Sequence, residues 1–382
     1  MRVLIAGGGT GGGVYPALAV VEALKAQHPD AECVWLGSTT GPEREMVARA
    51  GLPFEGVPGG PLVGVGARAV LSAAKIAIGA MRAQRVVARF RPQAMLSTGG
   101  WPTIAPTLAC WGRCPILLYM PDVEPSASIR ALSRLAARVA VTTEGAARFF
   151  RSGQAVVTGY PLRPELLTAA GYGPLGEPLT PPTPASSAGR EKAAQRFALA
   201  AGVPTLLVMG GSHGARSINR ALATWLKALL PDCQIVHISG RLDWEEAQTT
   251  ATGLPSDLAG RYHLYDYLHG EDMAWALAAA DLVVARAGAS TLGEFPLFGL
   301  PAILVPYPHA WRTQKTNAEA LVSQGAAVRL DDERVAFDLG PTALWLLKDE
   351  PQRRQMSAAM RSLARPAAAG RIAALIGEAV SG

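Results

Sequence analysis

The chain has 382 residues, 49% hydrophobic and 17% charged; this excludes a disordered polypeptide and exceeds what one core comfortably holds, so two domains are expected. A formal net charge of +6 admits nucleic acid, an anionic membrane or a phosphorylated substrate without choosing among them. Cys33, Cys110, Cys114 and Cys233 lack zinc-type spacing and read as buried reduced thiols, and with no basic leader, apolar stretch and cleavage site a signal peptide is not expected.

In chain order, apolar runs of strand length alternate with helical segments, the pattern of an α/β fold whose parallel sheet is covered on both faces. The first half predicts strands at 2–6, 33–36, 94–97, 116–119 and 138–141, with helices near 16–27, 42–50, 68–89, 103–112 and 128–135. Behind the first strand stands Gly7-Gly8-Gly9-Thr10-Gly11-Gly12-Gly13. Glycine tolerates positive φ and close backbone approach, and the helix that follows offers unpaired N–H groups and a positive dipole end to an anion. Residues 61–90 mix Leu62, Val63, Val65, Ile76, Ile78 and Met81 with Arg68, Lys75, Arg82, Arg85 and Arg89. That mixture suits an anionic bilayer surface, or an amphipathic helix whose apolar stripe faces the sheet; lipid contact is expected only from 62–67 and the first helical turn. The weakly charged stretch 92–121 is broken by Gly99, Gly100, Pro102, Pro106 and Gly112, so it reads as buried strand and helix and not as a membrane span.

An extended crossover, Gly159-Tyr160-Pro161-Leu162-Arg163-Pro164, leads to residues 171–189, whose Pro, Gly, Ser and Thr predict a mobile surface insertion. The second half predicts a helix at 190–200, strands at 205–209, 234–238, 262–265, 282–285, 302–305 and 327–330, and helices at 218–230, 272–280, 290–298 and 314–324. Beyond Gly340 it reads as helical throughout. A second glycine loop, Gly210-Gly211-Ser212-His213-Gly214-Ala215-Arg216, follows the strand at 205–209. Two such loops predict two nucleotide-binding-type domains facing each other across a cleft. Their expected limits are 1–162 and 163–362, with 363–382 packing back on the first.

The segment Arg286-Ala287-Gly288-Ala289-Ser290-Thr291-Leu292-Gly293-Glu294 leaves a strand and opens a helix. Its small residues and hydroxyls can cradle a phosphate, and Glu294 can accept from both hydroxyls of a ribose; a helix cap with a capping-box-like Ser290 is the plainer alternative. The polar, aromatic and basic loop 306–318 brings a third strand end to the same sheet edge. An NAD site is disfavoured because Trp35-Leu36-Gly37-Ser38-Thr39-Thr40 ends the second strand without a carboxylate, and neither glycine loop has a Walker lysine. Without an Asp-x-Asp pair, no metal is expected.

These motifs together resemble the MurG family: the first glycine loop followed by Pro16-Ala17-Leu18-Ala19; Gly210-Gly211-Ser212 with Gly214-Ala215-Arg216 and Ile218-Asn219; Arg286, Gly288, Ala289, Thr291 and Glu294; and Gln314, Asn317 and Ala318. The resemblance covers nearly the whole chain except 171–189. It implies the GT-B fold, two Rossmann-like parallel-sheet domains, and metal-independent, inverting transfer of N-acetylglucosamine from its UDP-sugar to lipid I, giving lipid II. It implies as partners UDP-N-acetylglucosamine, the undecaprenyl-diphosphoryl muramyl-pentapeptide acceptor and an anionic membrane surface, on the cytoplasmic face, with no nucleic acid and no cofactor. The implied donor residues are Thr10, Gly11, Gly12, Asp122, Arg163, Ser212, Gly270, Ala289, Ser290, Thr291, Leu292, Glu294 and Gln314. The implied acceptor or phosphate loop is Gly9, Thr10, Gly11, Gly12 and Gly13.

Several positions depart from the family pattern. Gly13 stands where a histidine is usual, Tyr119-Met120-Pro121-Asp122 where His-Glu-Gln-Asn is usual, Tyr160 where the crossover has Asn, and His213 where Gln is common. The usual histidine base is therefore missing, and His28, beside Pro29, reads as a surface turn. Asp122 is the candidate base, with Glu124 and His213 as alternatives; a turn or helix cap is an equal reading for Asp122. Helix N-termini, Ser212 and Arg163 would stabilise the departing UDP. A GT-B enzyme with a different acceptor, or a UDP-sugar-binding protein without catalysis, remains open at this point.

Overall fold

The computed structural model describes residues 1–8, 11–41, 43–58, 67–179, 185–211, 214–309 and 313–381. Strands β1 (Arg2–Ala6), β2 (Glu32–Ser38), β3 (Phe54–Val57), β4 (Ala94–Ser97), β5 (Ile116–Met120), β6 (Arg138–Val141) and β7 (Ala155–Val157) form one parallel sheet in the order β3-β2-β1-β4-β5-β6-β7. Strands β8 (Thr205–Met209), β9 (Gln234–Ile238), β10 (Tyr262–Tyr265), β11 (Leu282–Ala285), β12 (Ala302–Leu304) and β13 (Ala327–Arg329) form a second, in the order β10-β9-β8-β11-β12-β13. Both sheets are doubly wound: strand order reverses beside β1 and β4 in one, and beside β8 and β11 in the other.

The central strands are legible because they are buried on both faces. Val3, Leu4 and Ile5 of β1 and Leu282, Val283 and Val284 of β11 are fully inaccessible, so consecutive residues are apolar and do not alternate. Edge strands β3 and β7 are mostly half-buried, and neither stands out as an apolar run.

The chain divides into two compact units, Met1–Arg163 with Pro366–Gly382, and Pro164–Arg365. In the first, the helix Ala368–Ser381 buries Ala369, Ile372, Ala373 and Ile376 and packs on the helix Gly11–Gln27, where Gln27 donates to the Gly370 carbonyl at 3.0 Å. His28 is exposed beside the turn that follows the helix Gly11–Gln27, as the surface-turn reading expected, and its Nε2 would stand 3.3 Å from a β-carbon at Gly377.

In the second unit the helices Arg216–Leu229 and Val335–Lys348 pack their apolar stripes together. The latter begins before Gly340, beyond which the sequence placed the helical tail, and runs through it. A β-carbon there would fall within 2.1 Å of the Trp225 indole, whose N–H donates to the Ala336 carbonyl at 2.9 Å, so glycine is what lets the two helices close. The expected insertion also differs. Tyr172 pairs with Pro178 in a closed turn, and a helix, Ala185–Phe197, starts within the stretch whose composition argued for a mobile segment.

Candidate functional site

Doubly wound sheets take ligands outside the carboxyl ends of the strands where the order reverses. In the second unit these are β8 and β11, paired in register from Leu206–Leu282 to Met209–Ala285. The loop behind β8 closes tightly: Gly214 N–H donates to the Gly211 carbonyl at 2.8 Å, and a β-carbon at Gly210 would lie 2.4 Å from the Gly214 carbonyl carbon. Gly214 has φ +77° and faces the Ser239 carbonyl, so a side chain fits at neither glycine. The helix Arg216–Leu229 then begins at Ala215, which offers no side-chain cap. Ala215 therefore leaves the first N–H groups of this helix without a side-chain cap of its own. Ser212 and His213, both expected at the site, lie outside the described residues.

That first turn is held from beneath by a buried polar network. Asp243 accepts from Arg216 Nε and from Asn219 Nδ2, each at 2.8 Å, and Asn219 Nδ2 also reaches the Ser239 carbonyl at 2.8 Å. With its amide donating twice, Asn219 Oδ1 accepts from His237 Nε2 at 3.0 Å, which leaves His237 Nδ1 to accept from the Tyr262 hydroxyl at 2.6 Å. Burial lowers the His237 pKa to about 3, the Asp243 charge opposing, so the ring is neutral. The motif residues Arg216 and Asn219 were legible; their partners Asp243, His237 and Tyr262 come from other strand ends and carry no sequence signal of their own.

A second set of bonds ties the neighbouring loops. Arg286 donates to Asp332 Oδ1 at 2.5 Å, to Ser217 Oγ at 2.9 Å and to the Val305 carbonyl at 3.2 Å, and its guanidinium lies 5.3 Å from the Tyr307 ring centre. Asn317, fully buried in the helix Thr313–Val322, donates to the Ala287 carbonyl at 3.2 Å, and Gln314 Oε1 accepts from Tyr307 N–H at 2.8 Å. The loops that open at Gly210, Arg286 and Pro306 thus share one edge.

The donor residues implied by the motifs separate by environment. Thr291 Oγ1 donates to the Gly288 carbonyl at 2.7 Å, and Leu292 is buried with its N–H on the Ala289 carbonyl at 3.1 Å, so both are committed to shaping the loop. Ala289, Ser290 and Glu294 are partly accessible. Ser290 makes no side-chain cap, so the capping-box alternative does not form. Gly270 opens the helix Gly270–Ala279 behind β10 with φ +48° and open space at its α-carbon.

In the first unit the corresponding crevice lies behind β1 and β4. Gly11, Gly12 and Gly13 form the first turn of the helix Gly11–Gln27, while Gly9 and Thr10 lie outside the described residues. Trp35 Nε1 donates to the Gly7 carbonyl at 3.0 Å. The second strand ends without a carboxylate, yet Glu43 folds back to accept from Ser38 N–H at 2.7 Å and fills the space beside Gly8 and Gly41. Arg163 belongs to this unit, not to the second as its place in the sequence suggested, and stacks 5.1 Å from the ring centre of Tyr15.

Asp122 follows β5 and is half-buried. It does not cap the next helix, Ala127–Leu132: Ser126 does, accepting from Ile129 N–H. Glu124 is paired with Arg130 at 3.2 Å. Tyr119 donates to Thr142 Oγ1 at 3.0 Å and meets Tyr160 edge-on, ring centres 6.4 Å apart at 69°. Burial, then the nearby Tyr160 and Asp122, hold its phenol well above the usual range. Among the described residues no group of three or more His, Cys, Asp or Glu is gathered for a metal ion, and no helix is long and apolar enough to cross a membrane.

Residues 3–141 match the glycosyltransferase family 28 N-terminal domain and residues 205–372 the C-terminal domain of the same family. A relative from Roseiflexus sp. (strain RS-1), named UDP-N-acetylglucosamine–N-acetylmuramyl-(pentapeptide) pyrophosphoryl-undecaprenol N-acetylglucosamine transferase, is 37% identical over 98% of this chain and 94% of its own length. One of the same name from Moorella thermoacetica is 37% identical over 96% of both chains. The crystal structure of Acinetobacter baumannii MurG is similar with a TM-score of 0.75 at 25% identity, covering 99% of each chain.

Proposed function

Because the chain belongs to the MurG family of glycosyltransferases, within glycosyltransferase family 28, we propose that it transfers N-acetylglucosamine from UDP-N-acetylglucosamine to the undecaprenyl-diphosphoryl muramyl-pentapeptide acceptor. In such a transfer the acceptor hydroxyl attacks the anomeric carbon, the bond to UDP breaks with inversion, and the hydroxyl proton passes to a base. The observation that carries the donor half is the stitched edge of the second sheet, where a helix start whose N-cap residue, Ala215, makes no side-chain cap, a tight glycine turn and the partly accessible Ala289, Ser290 and Glu294 stand on neighbouring loops. Glu294 takes the ribose hydroxyls, Gly270 lines the donor site through its backbone, and Gln314 reads the sugar. Helix starts and Arg163 stabilise the negative charge on the departing diphosphate.

On the acceptor side Asp122 is the base. It lies at a strand end on the ligand edge of its sheet, and it caps no helix. The chain works at an anionic membrane surface from its cytoplasmic side. Support comes from the packed helices Ala67–Phe90 and Ile104–Cys110, where Ile78, Met81, Leu108 and the following Trp111 are exposed apolar side chains, with Lys75, Arg82, Arg85 and Arg113 exposed nearby in sequence. Gly79 leaves room for the Pro58 carbonyl, which would stand 2.0 Å from a β-carbon there, with Ala105 of the neighbouring helix at 3.3 Å. The sequence placed lipid contact only at 62–67 and the first helical turn; of these, residues 62–66 lie outside the described residues, and the exposed apolar side chains named here stand further along the chain. The test is incubation with labelled UDP-N-acetylglucosamine and lipid I, scored for lipid II; donor binding without product formation would favour a sugar-nucleotide-binding protein lacking catalysis.

A further inference from the structure

A cavity of about 610 Å³ lies in the first unit beside the end of the helix Ala67–Phe90, where β1 and β2 begin. It therefore opens at the far end of these strands from their ligand edge, and its volume is that of a small-molecule site. Val34 and Val86, which belong to the apolar core of this unit, line it together with the half-buried Phe90. Arg2 and Glu32, opposite each other in register at the strand starts, line it as well, as do Glu55, Arg89 and Arg91. Arg89 is bonded to Glu55. Among the described residues, the terminal nitrogens of Arg2, the Arg91 guanidinium and the Glu32 carboxylate have no bonding partner, so three charged groups border one cavity uncommitted.

The backbone at Arg91 points the same way. Its N–H donates to the Val87 carbonyl at 2.8 Å as the helix stops, and its φ is +50°. That left-handed conformation suits glycine, and a residue before proline, here Pro92, is ordinarily extended. An arginine held against its backbone preference calls for a use of its side chain. The turn also aims the Arg91 carbonyl at Arg2 Nε, which donates to it at 3.0 Å. Gln93 fixes the Arg2 backbone on both sides, accepting from its N–H at 2.9 Å and donating to its carbonyl at 2.8 Å. The helix dipole accounts for Arg89 in the last turn; Arg91 lies past that helix and Arg2 stands on a strand.

We propose that this cavity binds a nucleoside monophosphate, apart from the donor edge: the phosphate bridges Arg2 and Arg91, the ribose hydroxyls donate to Glu32, and the base lies against Phe90. Guanidinium groups match a phosphate, a carboxylate matches paired hydroxyls, and an aromatic ring gives a base a stacking surface. AMP, GMP, CMP and inorganic phosphate are titrated by calorimetry into the full-length protein, with UDP binding and the melting temperature measured for each variant. At least one of the three nucleotides should bind, and inorganic phosphate should bind at least about tenfold more weakly. Arg91→Gly should weaken nucleotide binding by about tenfold, the effect of one hydrogen bond between charged groups. It should leave UDP binding unchanged and the melting temperature equal or higher, because glycine accepts the left-handed backbone. Glu32→Gln should weaken the nucleotide and leave inorganic phosphate within about twofold, the carboxylate being assigned to the ribose alone. Glu294→Ala should leave nucleotide binding unchanged. Absence of binding by all three nucleotides, phosphate binding as tightly as the nucleotide, or nucleotide binding unaltered by Arg91→Gly or by Glu32→Gln would each overturn the proposal. So would loss of nucleotide binding in Glu294→Ala, which would place the nucleotide at the donor edge instead.

Discussion

Acid should expose the His237 network as a stability switch of the second unit. Burial holds the His237 pKa near 3 in the folded chain against an ordinary 6.5. The folded value is the lower one, so the unfolded chain binds the extra proton. The stability contribution is complete above about pH 6.5 and is lost as pH falls from there towards about 3. At 1.36 kcal/mol per pKa unit, the loss between pH 7 and pH 5 is about 2 kcal/mol, with a ceiling of roughly 4–5 kcal/mol below pH 3. Urea unfolding of the parent and of His237→Leu at both pH values measures this. The variant should be less stable at pH 7, because Asn219 Oδ1 and the Tyr262 hydroxyl lose their partner. It should also lose about 2 kcal/mol less than the parent on going to pH 5. Equal acid sensitivity in the two proteins would show that His237 takes up no proton on unfolding, and the neutral tautomer drawn from the Asn219 bonds would be wrong.

Glu294→Ala should weaken UDP binding by about 1.5–3 kcal/mol, the range for hydrogen bonds to a charged group; unchanged affinity in calorimetry would remove Glu294 from the donor site. Asp122→Asn should reduce turnover by roughly two to four orders of magnitude with little change in donor affinity, and near-full turnover would move the base to Glu124 or His213. Binding to anionic liposomes should fall with added salt and with Ser at Ile78, Met81, Leu108 and Trp111 together; binding indifferent to both would assign that surface another role.

What the sequence made legible follows from burial. Strands inaccessible on both faces announce themselves as unbroken apolar runs, and the glycine loops were visible because backbone shape forbids other residues there. Half-buried β3, with Glu55 and Gly56 at its centre, and the three-residue β7 give no such signal. The helix Trp244–Thr252 was missed for a related reason, since Ala247 is its only buried residue. At the site, the motif marked Arg216, Asn219, Asn317 and Gln314 but not their tasks, which are to hold Asp243, the Ala287 carbonyl and Tyr307 N–H.

The departures from the family pattern on the acceptor side make more physical sense in pairs than singly. Tyr119 and Tyr160 stand where His and Asn are usual, and in the fold they are one feature, two buried rings meeting edge to face. Such a pair contributes about 0.5–1.5 kcal/mol beyond the area it buries. Restoring His at 119 alone would place a polar ring against Tyr160 and leave Thr142 without the tyrosine hydroxyl. Gly13 and Thr98 are coupled in the same way: the missing side chain at 13 leaves the space that the Thr98 hydroxyl borders. A lost histidine, taken by itself, argues for lost chemistry. Taken with its structural partner, it argues for an edge rebuilt around different groups, with Asp122 beside the tyrosine pair and Thr98 beside the glycine turn. That is why introducing His at Gly13 alone should recover little activity: its β-carbon would stand 3.3 Å from the Thr98 hydroxyl, so the threonine must shift to admit it.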